Sequence, residues 1–400
     1  MNPRIYLLAF GTFTVGTEGY VIAGILPEVA ADVHASVALC GQLVTVFALV
    51  YALAGPPLIA LFHRVPPKTL LVGAAIGFAL SNVLAAVASN FAVLTVARVA
   101  AAVTAALFAA PAASAAAALS KPEDLPRAIA VTASGNALAL TVGAPIGTVI
   151  GALVGWRGAF LFVAGLAVVS AVGVFLWLPA VPVPAASTGR LNLLRSAPIR
   201  WGLVTTFGLF LAAYCTYTYL APIVGAAAGM GSHGVAALMI VFGAGGFLAG
   251  RTIGRVLQSV PIKRVLIVVL STMTVLLGIL AWLTAIEVHP LAAIVLFPLL
   301  FALGGAWWSG GISQQTRIAG HAPAQRSQAI GLHFSAQFLG VAVGGALGGL
   351  ALDNSGPVAV PVVSALIAAA TILSVRMVAP VAGIGAPGAA DARPTASAPS

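Results

Sequence analysis

The chain has 400 residues, 61% of them hydrophobic and only 6% charged, against about 25% charged in a soluble globular domain; this excludes a water-soluble fold and points to an all-α integral membrane protein. Its formal net charge of +10 comes from basic residues scattered through short connections, with no basic stripe or binding motif, so nucleic acid is excluded as a partner and the charges read as topology determinants. The two cysteines, Cys40 and Cys215, lie in different halves without metal-ligand spacing, which excludes a disulfide framework.

Many apolar stretches reach the ~20 residues that an α-helix needs to cross a bilayer, and they lack the alternating polarity of a membrane β-barrel. Twelve helical spans are predicted, at about 5–26, 37–61, 69–89, 91–119, 128–153, 158–178, 200–222, 234–255, 265–286, 291–312, 327–350 and 357–378. Turn residues such as Pro66-Pro67, Ser89-Asn90, His289-Pro290 and Asp353-Asn354-Ser355-Gly356 separate them. The first run follows Arg4 as a signal peptide would, but it is too long, holds Glu18 and precedes many more spans, so it is read as a retained helix. With the N-terminus in the cytoplasm, Arg4, Arg64, Lys68, Lys121, Arg127, Arg190, Arg195, Arg200, Arg251, Arg255, Lys263, Arg264, Arg317, Arg326, Arg376 and Arg393 fall on the cytoplasmic side and Arg157 alone outside, as the positive-inside rule requires. The longest polar connection splits the chain into residues 1–180 and 200–378, joined by a cytoplasmic linker at 181–199. Twelve spans divided this way suggest two parallel repeats of six. The Pro-, Ala-, Gly- and Ser-rich tail at 379–400 is expected to be a disordered cytoplasmic segment.

Glu18 is the only carboxylate inside a predicted span. A membrane-buried acid costs about 2.5–3.5 kcal/mol to insert and marks a candidate proton or substrate site. Arg98, in the fourth span, is the second costly residue. At 1.5 Å per residue Glu18 lies ~12 Å and Arg98 ~10 Å below the same surface. They can share an ion pair or a water network; alternatively Arg98 reaches the headgroups. Burial and a neighbouring guanidinium act on a carboxyl in opposite directions, so a site that alternates between paired and unpaired would load and release a proton. Asn82, Asn136, Tyr214, Tyr217, Tyr219, His333 and Gln337, with Thr17 and Gln42, are candidate cavity contacts, and each also suits an interhelical hydrogen bond. His333 and Gln337 are four apart and share a helix face. Trp307-Trp308 can stack on a flat ligand or simply pack. In the fifth span Gly135, Gly143, Pro145, Gly147 and Gly151 form a close-packing, bendable face.

Four stretches together resemble the major facilitator superfamily over residues 1–378, and within it the bacterial twelve-span drug:proton antiporters. They are Gly16-Thr17-Glu18-Gly19 with Ala23-Gly24-Ile25-Leu26-Pro27-Glu28; Ala97-Arg98; Gly143-Ala144-Pro145-Ile146-Gly147 followed by Gly155-Trp156-Arg157; and Tyr217-Thr218-Tyr219-Leu220-Ala221-Pro222. The loop Leu61-Phe62-His63-Arg64-Val65-Pro66-Pro67-Lys68 departs from the family pattern, since it lacks the usual acid. The resemblance implies a major-facilitator fold of two pseudo-symmetric six-helix bundles in the bacterial inner membrane, with both termini cytoplasmic. It implies a monomer that exports a small molecule, such as a chloramphenicol-like drug, in exchange for protons. Glu18 and Arg98 would be the proton-coupling residues, and Gly143, Pro145 and Gly147 the conformational motif. A sugar or purine exporter and an inward proton symporter are the alternatives. No cofactor is expected: an inward proton gains about 2.3 kcal/mol per 100 mV, enough for roughly forty-fold accumulation, and no nucleotide-binding motif is present. The dispersed histidines argue against a membrane enzyme.

Overall fold

The computed structural model describes residues 2–62, 64–121, 124–181, 190–286 and 289–377. The first half holds α1 (Ile5–Asp32), α2 (Val37–Leu61), α3 (Pro67–Ala86) and α4 (Phe91–Ala118). It continues with a span built of α5 (Leu125–Leu138), one π-helical turn (Ala139–Gly143) and α6 (Ala144–Val154), and then α7 (Trp156–Trp177). The second half opens with α8 (Ala197–Tyr217) and α9 (Leu220–Ala228) as one broken span. α10 (Ser232–Ser259), α11 (Ile262–Ile286), α12 (His289–His321), α13 (Arg326–Ser355) and α14 (Ala359–Arg376) follow. Twelve spans among the described residues are long and apolar enough to cross a membrane. Part of the expected linker, 182–189, and the tail from 378 onward lie outside the described residues.

Polar caps start two of these helices. Ser36 Oγ accepts from the Leu39 amide at 3.1 Å and Asn90 Oδ1 from the Val93 amide at 3.0 Å, each satisfying a first-turn N–H that lipid could not. Pro145 has no N–H to give the preceding turn, and the ladder widens into the π turn just before it.

The packing repeats after six spans. α1 packs on α5, α6 and α7, as α8 packs on α13 and α14; α2 packs on α4, as α10 packs on α12. α3 packs on α4 and α7, as α11 packs on α12 and α14. Close approach sets the register in both halves. A Cβ at Gly143, Gly147 or Gly151 would strike Thr17, Val21 or Ile25 of α1 in turn. A Cβ at Gly340, Gly344 or Gly348 would come within 2.5–2.6 Å of the Phe207, Leu211 or Cys215 carbonyl oxygen of α8. Steps of four on both partners keep one helix face on the other, and small residues let backbones meet where lipid offers no hydrophobic drive. Two seams join the halves: α2 lies along α13, and α6 with the π turn lies along α10.

Two differences from the sequence expectation bring charged residues into helices. The first span, expected to end at Leu26, continues as helix through Pro27 to Asp32; Pro removes one ladder bond, and packing of this turn holds the helix. Arg317, expected in a loop, lies within α12 and is 2% exposed. Its Nη2 donates to the Val375 carbonyl at 3.2 Å, and Lys263 Nζ donates to the Arg376 carbonyl at 3.2 Å. Both cations thereby cover free carbonyls at the C-terminus of α14.

Candidate functional site

Glu18 stands near the middle of α1 and is 1% exposed. Its Oε1 forms an ion pair with Nη1 of Arg98 on α4, which is equally buried. Arg98 is held on two more sides by α2: Nε donates to the Leu43 carbonyl at 3.4 Å, and the guanidinium carbon lies 4.5 Å from the Phe47 ring centroid. Of the two readings of Arg98, the structure selects the ion pair. Glu18 Oε2 and Arg98 Nη2 are buried without a hydrogen-bond partner, so the pair is half satisfied, the condition in which a buried polar network costs most. Glu18 shares its face of α1 with Gly11, which meets Phe108 of α4 and Ser170 of α7. The carboxylate therefore points into the first bundle, away from lipid.

The opposite face of α1 forms part of the contact between halves. Tyr20, two positions or about 200° from Glu18, sets its ring edge-on to Tyr217, with centroids 6.1 Å apart. Tyr217 belongs to an aromatic cluster from three helices of the second half. Trp307 of α12 lies 5.2 Å from Tyr214, 5.6 Å from Tyr217 and 5.5 Å from Phe242 of α10. Asn136 of α5 donates Nδ2–H to the Tyr20 hydroxyl at 3.2 Å. Tyr217 OH and Trp307 Nε1 are buried with no partner. This juxtaposition brings Asn136, Tyr214 and Tyr217 together and adds Tyr20, Phe242 and Trp307.

The other expected contacts lie elsewhere. Tyr219 turns away from the cluster; its hydroxyl donates to the Gly345 carbonyl at 2.8 Å and the Ala38 carbonyl of α2 at 3.3 Å, bridging the halves. Asn82 lies on α3 inside the first bundle, its Nδ2 bonded to its own helix at the Phe78 carbonyl, 2.9 Å away. His333 is 2% exposed, and its Nδ1 is 3.0 Å from Thr206 Oγ1 of α8, which is the interhelical hydrogen bond. Gln337, one turn along α13, is half-buried. Gly143, Pro145 and Gly147 lie where the π turn and α6 cross α1. Trp308 packs on Gly246 and Gly250 of α10.

Further bonds close the seam. Thr45 Oγ1 donates to the Ala342 carbonyl at 3.0 Å, and Thr141 Oγ1 to the Gly243 carbonyl at 3.0 Å. Thr148 Oγ1 meets Met239 Sδ at 3.6 Å, and Ser232 Oγ donates to Glu28 Oε1. Positions 20, 24 and 28 of α1 all touch the second half. The expected end of the first span at residue 26 had left Glu28 outside the helix. Among the described residues no group of three or more His, Cys, Asp or Glu side chains could hold a metal.

A sequence model of the Major Facilitator Superfamily matches residues 8–325. The chain belongs to that superfamily. It is 28% identical over 357 residues to the uncharacterized MFS-type transporter YfhI of Bacillus subtilis (strain 168), covering 88% of this chain and 87% of YfhI. It is 30% identical over 267 residues to a chloramphenicol resistance protein of Streptomyces lividans, covering 65% of this chain and 68% of the relative. A probable sugar efflux transporter of Mannheimia succiniciproducens is 25% identical over 372 residues, 92% of each chain. The fold matches a crystal structure of the nucleoside transporter NupG with a TM-score of 0.76 at 13% identity, covering 94% of this chain and 99% of that one. The facilitator chain is a multi-pass membrane transporter rather than an enzyme.

Proposed function

We propose that this transporter exports a small, flat, uncharged molecule in exchange for protons, by alternating access in the bacterial inner membrane with both termini cytoplasmic. The observation that carries the reading is the buried, half-satisfied Glu18–Arg98 pair. In a membrane such a pair is expensive, and it is retained where the acid must change protonation state. Glu18 takes up the proton and Arg98 holds the empty carboxylate. The substrate contacts the aromatic cluster, where ring faces suit a flat body and the unpartnered Tyr217 OH and Trp307 Nε1 suit a hydrogen-bond acceptor. No carboxylate stands among the cluster residues, which disfavours polycations. Gly143, Pro145 and Gly147 allow the fifth span to bend against α1 as the halves rock. The proton gradient drives the cycle without a cofactor, in a monomer. The printed names of two relatives, a resistance protein and an efflux transporter, support the outward direction and keep sugar export as the second reading.

A susceptibility panel of chloramphenicol-like drugs, purine analogues and sugars in an exporter-deficient host identifies the substrate. Proteoliposomes with an imposed pH gradient then test the coupling. Glu18→Gln is expected to abolish uphill accumulation while leaving counterflow intact; full accumulation by that variant would refute the role of Glu18.

A further inference from the structure

We infer that Tyr51 is the residue through which the Glu18–Arg98 pair acts on the seam between the halves, an inference that rests on the proton-coupled reading above. A continuous line of contacts runs from the pair to the other half. The Arg98 guanidinium lies on the Phe47 ring of α2. Phe47 and Tyr51, one helical turn apart, have rings inclined by 27° with centroids 6.2 Å apart. Tyr51 then stacks on Phe338 of α13 at 4.0 Å and 29°. α2 and α13 form one of the two seams, so this line ends on an element that must separate when the halves rock.

Three attractions act on Arg98: the charge of Glu18 on α1 and, from α2, the Leu43 carbonyl and the π-face of Phe47. Protonation of Glu18 removes the first and leaves the two from α2. The guanidinium is 1% exposed and lies against the Phe47 ring, so its movement is passed to that ring, and close packing hands the displacement to Tyr51. The other titratable groups on the elements packed against α1 and α2 are few; α13 carries His333, which faces Thr206 of α8, and Arg326 and Asp353 toward its ends. α2 carries only Cys40 and Tyr51 as titratable side chains, α5 and α6 none beyond Arg127 in the first turn, and α9 none. α7 carries only Arg157, paired with Asp32 at the far end. α10 has His233 at one end and Arg251 and Arg255 toward the other. α1 itself adds Tyr20 on its opposite face and Tyr6, Glu28 and Asp32 toward its ends.

The test needs no substrate. Spin labels at Leu61→Cys and Gln325→Cys, both exposed at neighbouring ends of α2 and α13, are placed in a Cys40→Ala, Cys215→Ala background in nanodiscs. The label separation is followed from about pH 8 down to about pH 3.5, past the ordinary glutamate value of about 4.3. The parent and Tyr51→Phe, which keeps the stack, are expected to shift between two distances with pH. Tyr51→Leu and Phe338→Leu are expected to lose roughly fivefold or more of that population shift, the lower range of allosteric couplings. A full pH response in either leucine variant that folds overturns the inference. A parent without any pH response, or a response that survives in Glu18→Gln, overturns the proton-coupled reading itself and this inference with it.

Discussion

Removing one member of the Glu18–Arg98 pair strands the other where no water can solvate it. Arg98→Leu is therefore expected to destabilise the protein by about 3–5 kcal/mol, read as a fall in unfolding temperature in detergent. The double variant Glu18→Leu, Arg98→Leu is expected to recover most of that loss, because two apolar side chains of similar size need no partners. A double variant as unstable as the single one would mean that the lost packing on Phe47 and Leu43, rather than the stranded charge, dominates. Both residues were legible from the chain as the costly members of apolar spans. Tyr20 was not, although Tyr214, Tyr217 and Tyr219 were named: an uncharged side chain two residues from Glu18 adds no cost that marks it. Its importance comes from Asn136 and Tyr217, which are distant in sequence and adjacent only in space.

At the level of helices, register depends on residues with no side chain to spare. Gly344→Ala adds a Cβ 2.6 Å from the Leu211 carbonyl oxygen, an overlap with rigid backbone. It is expected to cost about 1–3 kcal/mol. Gly19→Ala is the control: nothing lies within 4 Å of its added Cβ, and alanine favours helix over glycine by up to about 1 kcal/mol. Its unfolding temperature is expected to hold or rise. A Gly344→Ala protein as stable as the parent would show that α8 and α13 can separate freely. The spans themselves could be placed from runs of apolar residues, because the bilayer imposes a length. Their irregularities could not. Continuation through Pro27 and the π turn before Pro145 depend on neighbours that supply packing, and local propensity carries no record of those neighbours.

For the whole molecule, the alternating access proposed above requires that the closed seam be weak. Thr45 and Thr141 each make one cross-half bond to a carbonyl, and interhelical bonds in membranes average about 0.6 kcal/mol. The variant Thr45→Val, Thr141→Val should shift the balance toward the open seam by roughly sevenfold, using tenfold per 1.4 kcal/mol. Met239→Cys, at a position 1% exposed against Thr148, reports this as a matching rise in thiol-labelling rate, with Cys40 and Cys215 replaced. An unchanged rate would mean that apolar packing alone holds the seam. Tyr219 bridges the same halves through main-chain carbonyls, so Tyr219→Phe is expected to act in the same direction. Its role as a seam contact rather than a cluster member was invisible in the motif, where it stands two residues from Tyr217.

Composition and the length of apolar runs were enough to show twelve helices suited to a membrane, divided six and six, because hydrocarbon leaves a chain so little choice of backbone. The expense of burying charge was likewise enough to single out Glu18 and Arg98. Which helix face each side chain occupies was settled only by packing. Glu18 and Tyr20 are two residues apart, yet one enters a bundle and the other the seam, since 200° of helical rotation separates them and only the neighbouring helices define what each direction meets.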